Sequence, residues 1–380
     1  MTDFLPQPGL IFTLASFIAM VAVLVVVHEG GHYLAGRAFG ARIDAFAFGF
    51  GRELLGWTDR RGTRWRLNAI PLGGYVKFTG DMNEASQVDP ELLLLPEAER
   101  KHLFAFLPLW QRAIVVAAGP AINFLFAIAI LAAFNVTIGH PATPAVVAKV
   151  MPGSAAAAAG LKAGDRVVSI DGTAVYRFED VVNSVIAGTG EPVLLSIDRA
   201  GRMLSVLVMP RMVESRDRFG NTARHPRLGI ARPAQVVEAV GVGEALRLAT
   251  RDTWELTLTI GRTVRQVVMG ERSLAEMGGP VRTAQIAGQQ ASLGLLSAIA
   301  FMAFFSINLG FINLLPIPML DGGHLLLYGI EAIRRQPMAE RVQNWAFMSG
   351  FAALMSLMAV LTWHDFGAVG LWDTMAGWLG

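Results

Sequence analysis

An uncharged run from Leu10 to Val27 stops directly on His28-Glu29-Gly30-Gly31-His32. Ionisable side chains at the end of so apolar a stretch are costly in a bilayer and are kept there for function. On a helix, positions i and i+4 share a face, so His28 and His32 can present two imidazoles to one metal ion. Glu29 then stands beside them, placed to take a proton from an attacking water. The pattern predicts a zinc-dependent hydrolase working inside or at the edge of a membrane.

Composition agrees with a membrane setting. Of 380 residues, 53% are hydrophobic and 16% charged, where soluble chains average about 25% charged. A net charge of +2 gives no case for nucleic acid as a partner. There is no cysteine, so histidines and carboxylates are the available metal ligands.

A span needs about 20 apolar residues, and four stretches qualify: Leu10 to Tyr33, Ala113 to Phe134, Ala291 to Leu315 and Trp345 to Trp363. No basic residue precedes the first run and no small-residue cleavage site closes it, so it reads as a retained span and not a signal peptide. Gly243 to Gly270 is interrupted by charges, with apolar positions near helical spacing. It reads as an amphipathic helix lying on the membrane lipid.

Eleven Lys and Arg residues lie between Arg37 and Arg112, and Arg334, Arg335 and Arg341 follow the third span; the stretches before Leu10 and after Trp363 have none. The positive-inside rule then puts both basic loops in the cytoplasm and both termini outside. The expected order is a first span over residues 1–36, a cytoplasmic β-rich insertion over 37–112 and a second span over 113–137. An external domain follows over 138–212, then a linker with the amphipathic helix over 213–290 and a third span over 291–322. A cytoplasmic loop over 323–344, a fourth span over 345–364 and an external tail over 365–380 complete the chain. The zinc pair lies toward the cytoplasmic end.

A zinc site needs a third protein ligand and an open position. The third span closes on Asn313-Leu314-Leu315-Pro316-Ile317-Pro318-Met319-Leu320-Asp321-Gly322-Gly323-His324. Its prolines break the helix, and irregular backbone at membrane depth belongs where it lines a cavity. Asp321 falls at the depth of His28 and His32 by topology alone, and His324, three residues on, is a rival ligand.

These residues also carry a resemblance. His28-Glu29-x-x-His32, with Asn313-x-x-Pro316-x-Pro318-x-Leu320-Asp321-Gly322, resembles the site-2 protease family of intramembrane metalloproteases. Gly119-Pro120-Ala121-Ile122-Asn123 is similar to a further motif of that family. Phe48-Gly49-Phe50-Gly51, Gly73-Gly74-Tyr75-Val76 and Gly278-Gly279-Pro280-Val281 resemble its bacterial branch, which cleaves anti-sigma factors. The resemblance implies Asp321 as third ligand, Glu29 as catalytic residue, and Asn123 and Asn313 as groups that hold substrate near the zinc. As ordinary span residues the two amides would instead hydrogen-bond between helices.

Phe46, Phe48 and Phe50 alternate with small residues, Trp65 and Leu67 with Arg64 and Arg66, and Tyr75 to Phe78 offers a further strand after a Gly73-Gly74 turn. An edge strand there, including Gly73, Gly74 and Tyr75, can hold an unwound substrate by main-chain hydrogen bonds; the other reading is a small cytoplasmic cap. Residues 143–211 resemble a PDZ domain, with Asp171-Gly172 as a hairpin turn, a helix over Phe178 to Ala187 and a Gly188-Thr189-Gly190 turn. It serves either as a peptide or protein ligand site or as a folded spacer.

The expected protein is a polytopic α-helical membrane protein of four transmembrane helices, with a cytoplasmic membrane-associated β insertion and a periplasmic α+β PDZ domain. It sits in the bacterial inner membrane as a zinc endopeptidase cutting single-pass membrane proteins. Competing readings are a catalytically silent PDZ-bearing scaffold with a structural metal, and a membrane-anchored zinc peptidase acting on soluble peptides.

Overall fold

A computed structural model describes residues 8–80, 94–187, 190–216, 222–234, 236–270, 278–336 and 338–368. Thr189 and nearly all of the expected tail, 369–380, lie outside the described residues. Two units are distinguished: Phe134–Ala245, and Met1–Ala133 together with Leu246–Gly380.

In the larger unit, helix α1 spans Leu10–Ala38. It is followed by strands β1, Ile43–Thr58, and β2, Arg64–Phe78. Helix α2 covers Leu109–Thr137, α3 Val242–Val268, α4 Pro280–Ser292 and α5 Leu295–Asn313. Helices α6, Asp321–Arg334, and α7, Glu340–Ala368, complete it. Four of these are long and apolar enough to cross a membrane: Leu10–Ala38, Leu109–Thr137, Leu295–Asn313 and Arg341–Phe366. Exposed Leu14, Val23, Val26 and Leu34 on α1 are what a lipid-facing helix carries.

The structure corrects two expectations about the helices. First, α2 begins at Leu109, before the expected Ala113, because Arg112 is held inside the helix. Its guanidinium donates to Glu331 at 2.9 Å and lies 5.0 Å from the Tyr328 ring centre. Second, the run from Ala291 is not continuous. It breaks at Gly294, whose φ of 118° is a glycine conformation.

The preceding helix α4 is therefore a separate element and not linker. Gly279 stands at its N-cap, and the buried Asp365 of α7 accepts from the Gly279 and Arg282 amides at 3.0 and 2.9 Å. That carboxylate satisfies orphan donors of the first turn and complements the helix dipole. At the other end Gly288 abuts Thr13 of α1, and Ala287, Met20 and Ala298 form a buried cluster.

Helix α3 is helical where expected. Leu256 and Ile260 pack on a cluster with Ala127 of α2 and Ala303 and Ile307 of α5. Leu246, Trp254, Leu258 and Val268 of the same helix remain exposed.

Strands β1 and β2 pair antiparallel, and both bend. Phe46 lies opposite Val76 on one side and Trp65 on the other, and Trp57 opposite Trp65. β2 runs continuously through Gly73 and Gly74, so the expected turn is absent. Gly73, at φ 88°, instead lies among shifts of register. The connection from β1 to β2 is held by the Asp59 carboxylate, which accepts from the amides of Arg61 and Thr63 and from the Trp65 indole. Arg37 at the end of α1 donates to Thr63, tying this connection to the first span.

The smaller unit has a four-stranded sheet in the order Thr173–Ala174, Arg166–Ile170, Val193–Arg199, Arg202–Val208. Ile170 pairs with Thr173 across Asp171 and Gly172, whose φ values of 46° and 80° make the expected hairpin turn. The helix Phe178–Ala187 and the sheet share a core of Val147, Val167, Val181, Leu195, Ile197 and Val208. The unit extends past the expected boundary at 212. Leu228 is buried in that core, Ile230–Ala231 pairs with Lys149–Val150, and Val236–Glu238 pairs with His140–Ala142.

Within this core Asp165 is fully buried, and Arg199 donates to both of its oxygens at 2.7 Å. Those bonds hold the Asp165 carboxyl below its usual range, against the burial that opposes charge. A depressed folded pKa gives stability that is complete above the unfolded value and lost as pH falls through the folded one. Acidification should loosen this unit, and Arg199→Leu should remove most of that acid sensitivity by leaving Asp165 without its guanidinium partner at every pH. Amide exchange of residues 193–199 in the full chain checks it. Neutral-pH protection should fall roughly tenfold or more in the variant, and unchanged protection would mean that the pair adds nothing.

Candidate metal centre

His28 and His32 share one face of α1, with ring centres 4.9 Å apart. Asp321 arrives from the far side of the bundle. Helix α5 ends at Asn313, and the Pro316 and Pro318 loop carries the chain to α6, whose first residue is Asp321. Side chains at Gly322 and Gly323 would collide with the carbonyls of Leu314, Leu315 and Ile317, so the glycines let α6 start tight against the loop. Met319 takes φ 87°, an unfavourable conformation for a side-chain-bearing residue, two positions before Asp321.

The result is convergence. His28 Nε2 lies 3.2 Å from Asp321 Oδ2, His32 Nε2 3.5 Å from Oδ1, and the two Nε2 atoms 3.3 Å from each other. One donor atom from each residue falls within 4.8 Å of the others, the single such trio among the described residues. His324 is not part of it; its ring packs 4.9 Å from Phe347, which decides against it as rival ligand.

The donor set fits a divalent metal ion. Two imidazoles and a carboxylate are the ligand type of open catalytic sites. Asp321 Oδ2 is buried and makes no hydrogen bond, a lone acceptor that a cation satisfies.

The imidazoles are aimed by α2. His32 Nδ1 lies 2.9 Å from the Val115 carbonyl, and His28 Nδ1 3.0 Å from Asn123 Nδ2. Between these partners is Gly119, where a Cβ would strike the His32 ring; Gly31 in turn would strike the Ala118 carbonyl. Val115 acts through its backbone and leaves no signal in the sequence. Gly119 was legible only as a site of close helix contact.

A cavity of about 880 Å³ opens beside the trio, lined by Glu29, Phe50, Gly73, Gly74, Tyr75 and Asn313 among others. The Gly74–Phe78 edge of β2 faces α1 closely enough for a Cβ at Gly74 to meet Val25 and Glu29. The Val76 N–H donates to the Glu29 carboxylate. Asn123 departs from the expected set. It is fully buried against His28 and does not line the cavity, so it has no surface to offer a substrate.

Residues 16–357 match the model of peptidase family M50. The chain belongs to peptidase family M50. This is the site-2 protease family that its motifs resemble. A Rhizobium meliloti protein named "Putative zinc metalloprotease R01501" is 42% identical over 360 residues, covering 93% of this chain and 96% of its own length. Metalloprotease MmpA of Caulobacter vibrioides is 34% identical over 393 residues, covering 97% and 99%. The solved PDZ domain of an SdrC-like protein from Listeria monocytogenes aligns with 24% of this chain and 88% of its own, at 20% identity and a TM-score of 0.19.

In this M50 peptidase the fit of Gly119 under His32 sets a test. Gly119→Val should push the ring off the trio and abolish stoichiometric metal in the purified protein, while membrane insertion persists. Full metal content in that variant would show that the contact does not shape the centre.

Proposed function

We propose that this M50 peptidase is a zinc endopeptidase that hydrolyses peptide bonds in or near the transmembrane segments of single-pass membrane proteins. Anti-sigma factors are the substrate class favoured by the motif resemblance. The observation that carries the reading is a shared cavity: the metal ligands, an acid–base carboxylate and a strand edge all face it.

His28 and His32 through Nε2, and Asp321 through a carboxylate oxygen, would hold the zinc. When bound, the ion polarises the scissile carbonyl and acidifies the attacking water. Glu29 accepts the proton released by that water and returns it to the leaving amine. The Val76 amide fixes the carboxylate for both transfers.

A transmembrane helix hides its carbonyls in its own hydrogen bonds, so it must unwind before it can be cut. On the side away from β1, no described strand pairs with Gly74–Phe78. Unwound substrate can add to that edge, with Gly73, Gly74 and Tyr75 along it and Asn313 across the cavity. The charge distribution supports placement in a bacterial inner membrane, with both termini and the smaller unit periplasmic and the zinc toward the cytoplasm. The smaller unit is then a PDZ-like periplasmic domain that takes a peptide or restricts access.

Two experiments test this. His28→Ala and His32→Ala should each lose most of the zinc, whereas Glu29→Gln should keep the zinc and lose turnover of a model transmembrane substrate by about 10²–10⁴-fold. Wild-type turnover in Glu29→Gln would remove the hydrolytic mechanism. For orientation, a cysteine at Thr189 should react with an impermeant reagent from outside and one at Arg61 should not; the reverse labelling would invert the topology.

A further inference from the structure

We propose that the free edge of the four-stranded sheet, Met203–Leu207, pairs antiparallel with the same segment of a second copy of this chain, with the two-fold axis at Ser205. The contact lies in the smaller unit and owes nothing to the zinc reading.

Arg202–Val208 is the last strand of the sheet, and no described strand pairs with its outer side. Which of its backbone groups face outward follows from the hairpin before it. Ala200 and Gly201 both take positive φ, 53° and 81°, the signature of a two-residue type I′ turn. The residues flanking such a turn, Arg199 and Arg202, exchange both backbone hydrogen bonds, and bonded and non-bonded pairs alternate from there. The ladder runs on to Val193 and Val208 with no shift of register. Arg202, Leu204, Val206 and Val208 therefore direct their N–H and C=O groups at the neighbouring strand. Met203, Ser205 and Leu207 direct theirs outward.

An open edge is normally blunted by a lysine, a proline or a bulge. Here neither a charge nor a proline falls between Met203 and Val208, and the ladder has no bulge. The side chains are uncovered as well. Met203 and Leu207, on the outer face with Leu194, are 62% and 63% exposed. Leu204 lies on the core face, opposite the fully buried Ile197, yet is itself exposed. A neighbour on that flank would complete the core.

The segment itself points to the occupant. Met203-Leu204-Ser205-Val206-Leu207 is apolar on both sides of a central serine, so it complements its own antiparallel copy. Centred on Ser205, the pairing sets Met203 against the partner's Leu207 and Leu204 against the partner's Val206. Ser205 exchanges both bonds with its counterpart, and Met203 does so with the partner's Leu207, which uses every outward group of the segment. Leu204 is covered, and Leu194, Leu207 and the partner's Met203 form one apolar row. A two-fold contact of this kind closes on itself and builds no fibre.

The natural chain has no cysteine, so introduced cysteines read the register in membranes carrying the full-length protein. Under mild oxidation Ser205→Cys should give a disulfide-linked species of twice the monomer mass, since facing Cα atoms in a bonded pair lie about 5.5 Å apart. Ser196→Cys, on the same face one strand further in, should not, because its two copies stand roughly 14 Å apart. Copies with Met203→Cys should link to copies with Leu207→Cys, while either variant alone stays unlinked, like positions being roughly 14 Å apart. Ser205→Pro removes only an outward N–H. It should halve the mass of the detergent-solubilised protein and leave amide protection of residues 193–199 unchanged. No disulfide at Ser205, equal linking at Ser205 and Ser196, or a mixture that links no better than its components each overturns the proposal, and none of these requires Ser205→Pro to fold. A folded proline variant of wild-type mass overturns it too, as does a Ser205→Cys adduct with a different protein.

Discussion

Bringing two imidazoles and a carboxylate to one point inside an apolar helical bundle is the demand from which the rest of this fold follows. Each group loses water on burial and must recover its hydrogen bonds from protein or metal. That recovery needs backbones closer together than side chains ordinarily permit. Hence the glycines: Gly31 and Gly119 where α1 meets α2, Gly310 where α5 meets α2, and Gly322 and Gly323 where α6 meets the proline loop. Each removes a Cβ that would occupy the position of a carbonyl, a ring or a neighbouring side chain. The aliphatic residues of the spans supply apolar surface, but these contacts set the distances.

Much of the centre was legible in sequence because its signals are local. Two histidines four apart at the end of an uncharged run define a helix face whatever the rest of the chain does. Asp321 was legible through its motif, and the structure explains why the alternative of His324 fails: one turn further along α6 its ring meets Phe347. What stayed hidden depends on tertiary contact. Hydropathy averages over a window and cannot register one glycine, so the break at Gly294 was invisible. The glycine pair at Gly73 and Gly74 looks like a turn, and only pairing with β1 keeps it in a strand. The amide of Asn123 was read toward a substrate because a residue type does not reveal which way it faces.

The larger unit also separates stiff from yielding parts. On the side away from the cavity the imidazoles are hemmed in by the Val115 carbonyl, Gly119 and Asn123, so small displacements that way are costly. The β1 and β2 ribbon is anchored by Arg37 and by the stacking of Trp65 between Phe46 and Trp57, while Phe50, Leu54, Leu55 and Ile70 remain exposed. A two-stranded ribbon with that much uncovered apolar surface is held by its neighbours more than by itself. The metal ligands are thus held more firmly than the strand edge beside them.

The carboxylate of Asp365 gives the chain an order of assembly. It caps a helix that begins 86 residues earlier, and that helix in turn packs along the first span. Ribosomal synthesis delivers the cap after the helix it serves and after all three metal ligands. Until α7 has emerged and inserted, the first turn of α4 exposes bare amides at a place meant to be buried, and α1 has an unsettled partner. The bundle therefore cannot close around α4 before α7 has been made. A nascent chain already holding both histidines and Asp321 still lacks the contact that fixes the start of α4, the helix beside α1.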